Sequence, residues 1–437
     1  MAISENQKWF PESRFGLFLH WGPYSLYGRG EQVLFREHLD QDDYEAKARA
    51  WNPEEFDAKS WAKTAREAGF KYAVLTTRHH DSYALWDTKY SNYNSMKCAP
   101  KRDFVREYVD AFREAGLKIG LYYSWADWTS KAYWSDPDEH PEEWSALRDM
   151  THNQVEELLT NYGKVDVFWF DGSWPHPALK WDSQGLLDRM RELQPDILVN
   201  NRLDADSPFT KSQGAVEFAG ESRTMGDFGT PEHHITADES RIWESCQTST
   251  WRLWGYCRGE RWRPTDLLLD FLCQSASQGG NLLLNAGPQP DGRLPAEFIE
   301  RSAAIGRWLA VHGEAIYGTR RGDLTEFTTK GWQTRRGNSL YLIYRFWSQE
   351  SAERIAELAT PVKSATLLTT GQSLEVENRE DAVYIKGLPL LQPTELFPVI
   401  RLNFDSAPEA KDWAKGRLWN LDPKEMLPWV REIDQSK

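Results

Sequence analysis

Val165-Asp166-Val167-Phe168-Trp169-Phe170-Asp171-Gly172 is a short run of apolar, β-branched and aromatic residues that stops at an acid and a glycine. A strand covered on both faces reads this way. An aspartate on its last residue would stand at the mouth of a parallel barrel or sheet, where α/β enzymes place their chemistry. Asp before Gly is also ordinary cap and turn chemistry. The stretch alone leaves Asp171 open between those roles, and its neighbours decide.

Working outward, the same kind of run recurs in both directions. Arg14 to Gly22 is a buried-strand pattern that ends in His20. Pro53 to Ala68 reads as a helix, with Pro53 in its first turn and Phe56, Trp61 and Ala65 on one face. Gly69 closes it as a left-handed cap. Tyr72 to Thr77 is a second strand, leading into Arg78-His79-His80-Asp81. Asp103 to Ala115 is a helix ended by Gly116, and Lys118 to Tyr123 a third strand. Two phrases repeat: Arg66-Glu67-Ala68-Gly69-Phe70-Lys71 and Arg113-Glu114-Ala115-Gly116-Leu117-Lys118. Each closes a helix and opens a strand, so repeated αβ units and right-handed crossovers are expected.

Downstream the alternation continues. Glu142 to Asn161 is helical, Val165 to Phe170 the fourth strand, Ser183 to Leu193 a helix and Ile197 to Val199 the fifth strand. Val216 to Phe218 and Ile242 to Cys246 are weaker strand candidates. Pro264 to Ser277 is helical, Asn281 to Leu284 the last strand and Pro295 to Val311 the last helix. The pattern predicts an α/β fold, an irregular (β/α)8 TIM-like barrel over residues 1–318. No G-x-G-x-x-G follows a strand, which argues against a dinucleotide fold. After Gly318 the period becomes two, at Ser339 to Phe346, Ser364 to Thr369, Ala382 to Ile385 and Pro398 to Phe404. Residues 319–437 are therefore expected to form a C-terminal antiparallel β-sandwich with a packed tail carrying Trp413, Trp419 and Trp429.

Composition narrows the function. A chain of 437 residues is long for one core. A formal net charge of -14 argues against nucleic acid and anionic membrane as partners. No apolar run approaches a membrane span. Met1 to Phe10 has no apolar core of the signal-peptide kind, so a cytoplasmic location is expected. Cys98, Cys246, Cys257 and Cys273 form no C-x-x-C pair, which removes zinc-ribbon and redox readings. Tryptophans number 22, and such an excess fits either a large barrel core or stacking surfaces for sugar rings. Oligomeric state is not legible here.

Polar groups gather at the ends of the predicted strands: His20, then His79 and His80, then Tyr122 and Trp125, then Trp169 and Asp171, then Asn200, Asn201 and Arg202. One such residue is noise, whereas a series of them is how barrel enzymes build a site. A metal is not expected. His20 lacks a second histidine two residues away, and the adjacent His79 and His80 would face opposite ways on an extended strand. Glycoside hydrolysis needs only two carboxyl groups about the scissile bond. Asp171 is the first candidate. Glu217, Glu221, Glu232 and Glu244 all stand on or near the long segment after the fifth strand, and the residues alone do not rank them.

Phe15 to Gly22, Lys71 to Asp81, Trp169-Phe170-Asp171-Gly172 and Gly279-Gly280-Asn281-Leu282-Leu283-Leu284-Asn285 together resemble α-L-fucosidases of glycoside hydrolase family 29. The resemblance runs in order from about Trp9 to Tyr317. It implies a retaining exo-hydrolase of terminal α-L-fucose, on fucosylated oligosaccharides or glycosides, without metal or cofactor. Asp171 would match the nucleophile, and Trp169 would line the pocket. His20, His79 and His80 would match histidines that hold fucose hydroxyls, and Glu31 a sugar-binding glutamate. Gln32 follows where the family often has tryptophan. Tyr122 and Arg202 fall at active-site positions. Gly226 to Glu232 resembles the stretch that carries the acid/base, which favours Glu232, with Glu217 second. Ser82 stands where His-His-Asp-Gly is usual. The competing readings are a carbohydrate-binding pseudoenzyme, an α-L-galactosidase on the same scaffold, and a metal-dependent barrel hydrolase.

Overall fold

Among the described residues, eight parallel strands wind into a barrel: β1 Phe15–Leu19, β2 Tyr72–Arg78, β3 Lys118–Ser124, β4 Val167–Asp171, β5 Leu198–Val199, β6 Phe228–Gly229, β7 Ile242–Thr248 and β8 Asn281–Ala286. The computed structural model describes residues 3–174, 176–203, 210–212, 215–217, 225–237, 240–322, 324 and 330–411. Neighbours in the barrel follow chain order from β1 to β5, and β8, β7 and β6 continue from the other side of β1. The repeated Glu-Ala-Gly phrases feed β2 and β3 in matching fashion. The Lys71 N–H donates to the Phe15 carbonyl, and the Lys118 N–H to the Lys71 carbonyl. Gly69 and Gly116 both take positive φ to make that turn.

The ring closes between β5 and β6 through one parallel bridge, Asn200 to Phe228. Asp227 reinforces it with both ends of the residue. Its N–H donates to the Val199 carbonyl at 2.7 Å, and its carboxylate accepts from the Val199 N–H at 2.9 Å and from Arg191 at 2.8 Å. Gly226 permits this approach: it has φ +79°, and a Cβ there would fall 2.4 Å from the Asn200 oxygen.

The sequence expectation for the sixth strand was misplaced. Ala215–Glu217 is a strand, but it pairs antiparallel with Thr210–Ser212 as a separate hairpin. The barrel uses Phe228–Gly229 instead, because Phe228 is wholly buried in the interior layer while Asp227 holds the seam. Helix starts also moved. The helix expected from Pro53 begins at Ala58, since the Asp57 carboxylate caps it by accepting the Lys59 N–H. Gln41–Ala50 is a further helix, capped by Asp40, which buries only Tyr44 and Ala48 and so carried little apolar pattern. No helix among the described residues is long and apolar enough to cross a membrane.

By internal contacts the chain divides into Met1–Ala310 and Val311–Lys437. The division precedes Gly318 because Glu314 accepts from Arg401 at 3.0 Å and the Ala315 carbonyl accepts from Thr334 at 2.6 Å. The described strands of the second unit are all antiparallel and form a β-sandwich. One strand, Gln372–Asn378, makes the corner. Its first residues pair with Ser364–Leu367 and its later ones with Val383–Lys386. Leu340, Leu342, Leu367, Ile385, Ile400 and Leu402 fill the core between the layers. Each such side chain contributes about 1.5–3 kcal/mol by leaving water. Trp413, Trp419 and Trp429 lie outside the described residues.

Candidate active site

Alternation along the strands sends every second residue inward. Phe18, Val74, Tyr122, Trp169, Leu198, Phe228, Cys246 and Leu283 build the apolar plug of the barrel. Two residues beyond Trp169 on the same face, at the end of β4, stands Asp171. The plug turns polar at its C-terminal end for this reason, and that is where the candidate site lies.

Arg202 organises it. The 3-10 helix Asn201–Leu203 follows β5 and carries the guanidinium over the Trp169 ring at 4.7 Å. One terminal nitrogen donates to Asp171 Oδ1 at 3.0 Å and the other to Glu232 Oε2 at 2.7 Å. Thr230 holds two further N–H groups through its hydroxyl and carbonyl. Glu232 is no loose loop acid. Its backbone bridges Cys246 of β7, with the Cys246 N–H donating to the Pro231 carbonyl and the His233 N–H to the Cys246 carbonyl. Asp171 takes a further hydrogen bond from the Tyr122 hydroxyl at 3.2 Å. Burial, and then the charge on Asp171, holds that phenol well above its ordinary range, so Tyr122 stays a donor.

The three histidines converge. Their expected opposition on a strand does not occur, because β2 ends at Arg78 and the chain turns at His79 and His80. The rings of His79 and His80 lie 4.1 Å apart, and His20 is 5.7 Å from His79. Burial depresses all three: His20 to about 3, His80 to about 4 against the pull of Asp171, and His79 well below its usual value. They are neutral at physiological pH. Asn285 gives its N–H to the Trp254 carbonyl and turns its oxygen to His20 Nδ1 at 2.7 Å. His20 Nε2 is thereby left as the acceptor. The Ser124 hydroxyl donates to the Ala126 carbonyl at 3.1 Å and so accepts from His80 Nδ1 at 2.6 Å, which leaves His80 Nε2 unprotonated and facing Asp171 Oδ2 at 3.7 Å. Two lone pairs meet there, a place shaped for a hydroxyl that donates to one of them. His79 Nδ1 is buried without a hydrogen-bond partner among the described residues. Among those residues no cluster of three or more His, Cys, Asp and Glu side chains is arranged to hold a metal ion.

Glu31 is buried, and its Oε2 accepts from the Trp254 and Gly255 N–H groups at 3.0 and 2.8 Å. It fixes the loop whose indole lies 5.2 Å from the His20 ring. Gln32 instead binds Arg36 on the exposed side. Ser82 shows why glycine suits its position: φ is +69°, and its hydroxyl gives a 2.5 Å hydrogen bond to Asp127.

Glu244, one of the four candidate acids, lies deeper. Its carboxyl accepts from the Tyr72 hydroxyl at 2.5 Å and from Trp169 Nε1 at 2.8 Å, beneath the ring on which Arg202 rests. Glu221 and the side chain of Glu217 lie outside the described residues. Burial raises Glu244 to about 7 against those hydrogen bonds. Its folded value exceeds the unfolded one, so the stability it gives is complete below pH 4.5 and is lost as pH rises through 7. Between those limits, urea unfolding of the wild type should lose up to about 1.4 kcal/mol per pH unit relative to Glu244→Gln. Parallel profiles for the two proteins would show that Glu244 does not titrate in this range.

A family model described as Alpha-L-fucosidase matches residues 2–314. The chain belongs to the alpha-L-fucosidase family. It is a glycoside hydrolase of that family, as its relatives are named. Tissue alpha-L-fucosidase of Bos taurus is 30% identical, over 90% of this chain and 88% of its own length. Plasma alpha-L-fucosidase of Homo sapiens is 31% identical, over 78% and 76%. Alpha-L-fucosidase isoenzyme 1 from Paenibacillus thiaminolyticus superposes with a TM-score of 0.80 at 33% identity, covering 92% of this chain and 99% of that one. A GH29 alpha-L-fucosidase from Bacteroides thetaiotaomicron, trapped as a covalent intermediate with 2-fluoro-fucosyl fluoride in a glutamate-to-glutamine mutant, gives 0.81 at 29% identity, over 92% and 96%.

This fucosidase-family site uses groups that the motifs did not single out. Asn285 lies inside the Gly279–Asn285 motif, and the alternation Asn281, Leu283, Asn285 places it inward at the C-terminal end of β8, a readable signal. Thr230 and Trp254 belong to irregular segments whose spacing announces nothing. They act through Arg202 and His20.

Proposed function

We propose that the chain releases terminal α-L-fucose from fucosylated glycans or glycosides by a retaining double displacement, with Asp171 as nucleophile and Glu232 as acid/base. The observation that carries this is the single guanidinium of Arg202 held between the two carboxyl groups. Its positive charge touches both, so it can answer negative charge on whichever carboxyl group carries it.

In the first step Glu232 gives its proton to the glycosidic oxygen while Asp171 Oδ attacks C1 from the opposite face. The C1–O bond breaks and a β-fucosyl ester forms. Negative charge leaves Asp171 and appears on Glu232, and Arg202 touches both, so its stabilisation persists through the step. In the second step Glu232 takes a proton from water, the oxygen attacks C1, and Asp171 departs as carboxylate. His20 and His80 offer Nε2 acceptors to sugar hydroxyls, as neutral imidazoles can. The covalent intermediate trapped in the Bacteroides relative by a glutamate-to-glutamine change supports a glutamate in the second step.

Two inversions leave the first-formed fucose as the α anomer. A proton NMR time course should show that anomer before mutarotation sets in. β-Fucose as the first product would overturn the double displacement.

A further inference from the structure

Most of the aromatic excess is packed into the fold, but among the rings left exposed two stand together beside the pocket. Phe35 is 48% exposed and Trp134 51%. Phe35 sits on the short helix Val33–Arg36, just after Glu31, and Trp134 ends the helix Lys131–Trp134 in the loop after β3. Their rings stand 5.5 Å apart with planes within 8°. Phe35 also lies 5.1 Å from Trp128, whose indole packs 4.8 Å from His80. The Trp134 indole N–H donates to the Trp128 carbonyl at 3.1 Å, and the Trp128 N–H to the His80 carbonyl at 2.9 Å. His80 in turn faces Asp171. A continuous row of rings therefore runs from beside the proposed nucleophile out to solvent, with its backbone pinned to the pocket.

Leaving this much ring surface in water forgoes burial that the rest of the barrel achieves. Aromatic faces suit the C–H face of a pyranose, and the row begins where a pocket for one sugar ends. Resting on the proposed fucosidase chemistry, we infer that Phe35, Trp128 and Trp134 form a subsite for the neutral sugar that carries the fucose. That sugar stacks on the exposed rings while its bond to fucose lies between Asp171 and Glu232.

The test compares two substrates on the full chain. α-L-Fucosyl fluoride has a leaving group too small to reach the rings. The second substrate is whichever fucosyl disaccharide the wild type cleaves fastest. Phe35→Ala and Trp134→Ala should each lower kcat/KM on the disaccharide about tenfold, mainly through KM. Both should leave turnover of the fluoride unchanged, which also shows that they fold. Trp134→Tyr should restore most of the loss. Equal effects on both substrates, or none on the disaccharide, overturn the subsite. So does sedimentation showing a wild-type dimer that Trp134→Ala dissociates, since a second copy would then cover the rings. A wild type that fails to turn over fucosyl fluoride sinks the fucosidase chemistry instead, whatever the ring variants do.

Discussion

Asp171→Ala is expected to lower kcat on an aryl α-L-fucoside by about four orders of magnitude. The loss is chemical rather than structural, because the β4 backbone still pairs with β3 through Ser124. Arg202 also keeps Glu232 as a partner. Azide should restore part of the turnover, since the space vacated by the carboxylate admits a small anion. It would attack C1 from the nucleophile's face and give β-fucosyl azide. Near-normal activity in this variant, without azide, would remove Asp171 from the mechanism.

Glu232→Ala should separate substrates by their leaving groups. Those with poor leaving groups should slow by about two to four orders of magnitude, because nothing protonates the departing oxygen. Fucosyl fluoride, which needs little protonation, should still load the enzyme at near wild-type rate and then stall as the ester. Azide would here attack the β-linked intermediate and give α-fucosyl azide, the opposite anomer from the Asp171 variant. The two products together read out which carboxylate does which task. Should Glu217→Ala show this selectivity and Glu232→Ala not, the acid/base role passes to Glu217.

The barrel was legible because its signal is periodic. Phe18, Tyr122 and Trp169 face inward on strands long enough to alternate, and glycines punctuate the turns. The sixth strand was not legible, because Phe228–Gly229 is two residues long and its position is set by Asp227 and Gly226 rather than by any pattern. Asp171 stood out as the acid that ends an apolar run. Glu232 did not, since four acids stand on or near one long segment after the fifth strand. What distinguishes it from Glu244 is tertiary: one meets Arg202 at the mouth and the other is sealed under Trp169. His79 and His80 misled for the same reason. Strand alternation does not govern them, because the chain has already turned out of the strand after Arg78.

The closure between β5 and β6 has a consequence for ligand binding. Among the described residues it is the narrowest join of the cylinder, one bridge and one carboxylate across two very short strands. Asp171 stands on β4, on the β5 side of this join, while Glu232 follows β6 on the other. Arg202, whose side chain reaches both, is thus a clasp across the weakest joint of the wall. A ligand gripped by both carboxyl groups does the same work a second time. Amides at such thin joints are among the first to open, and a molecule that spans the two acids slows that opening. Occupancy of the pocket and integrity of the barrel are then linked equilibria, and a ligand that spans the proposed acids is expected to resist unzipping of the wall.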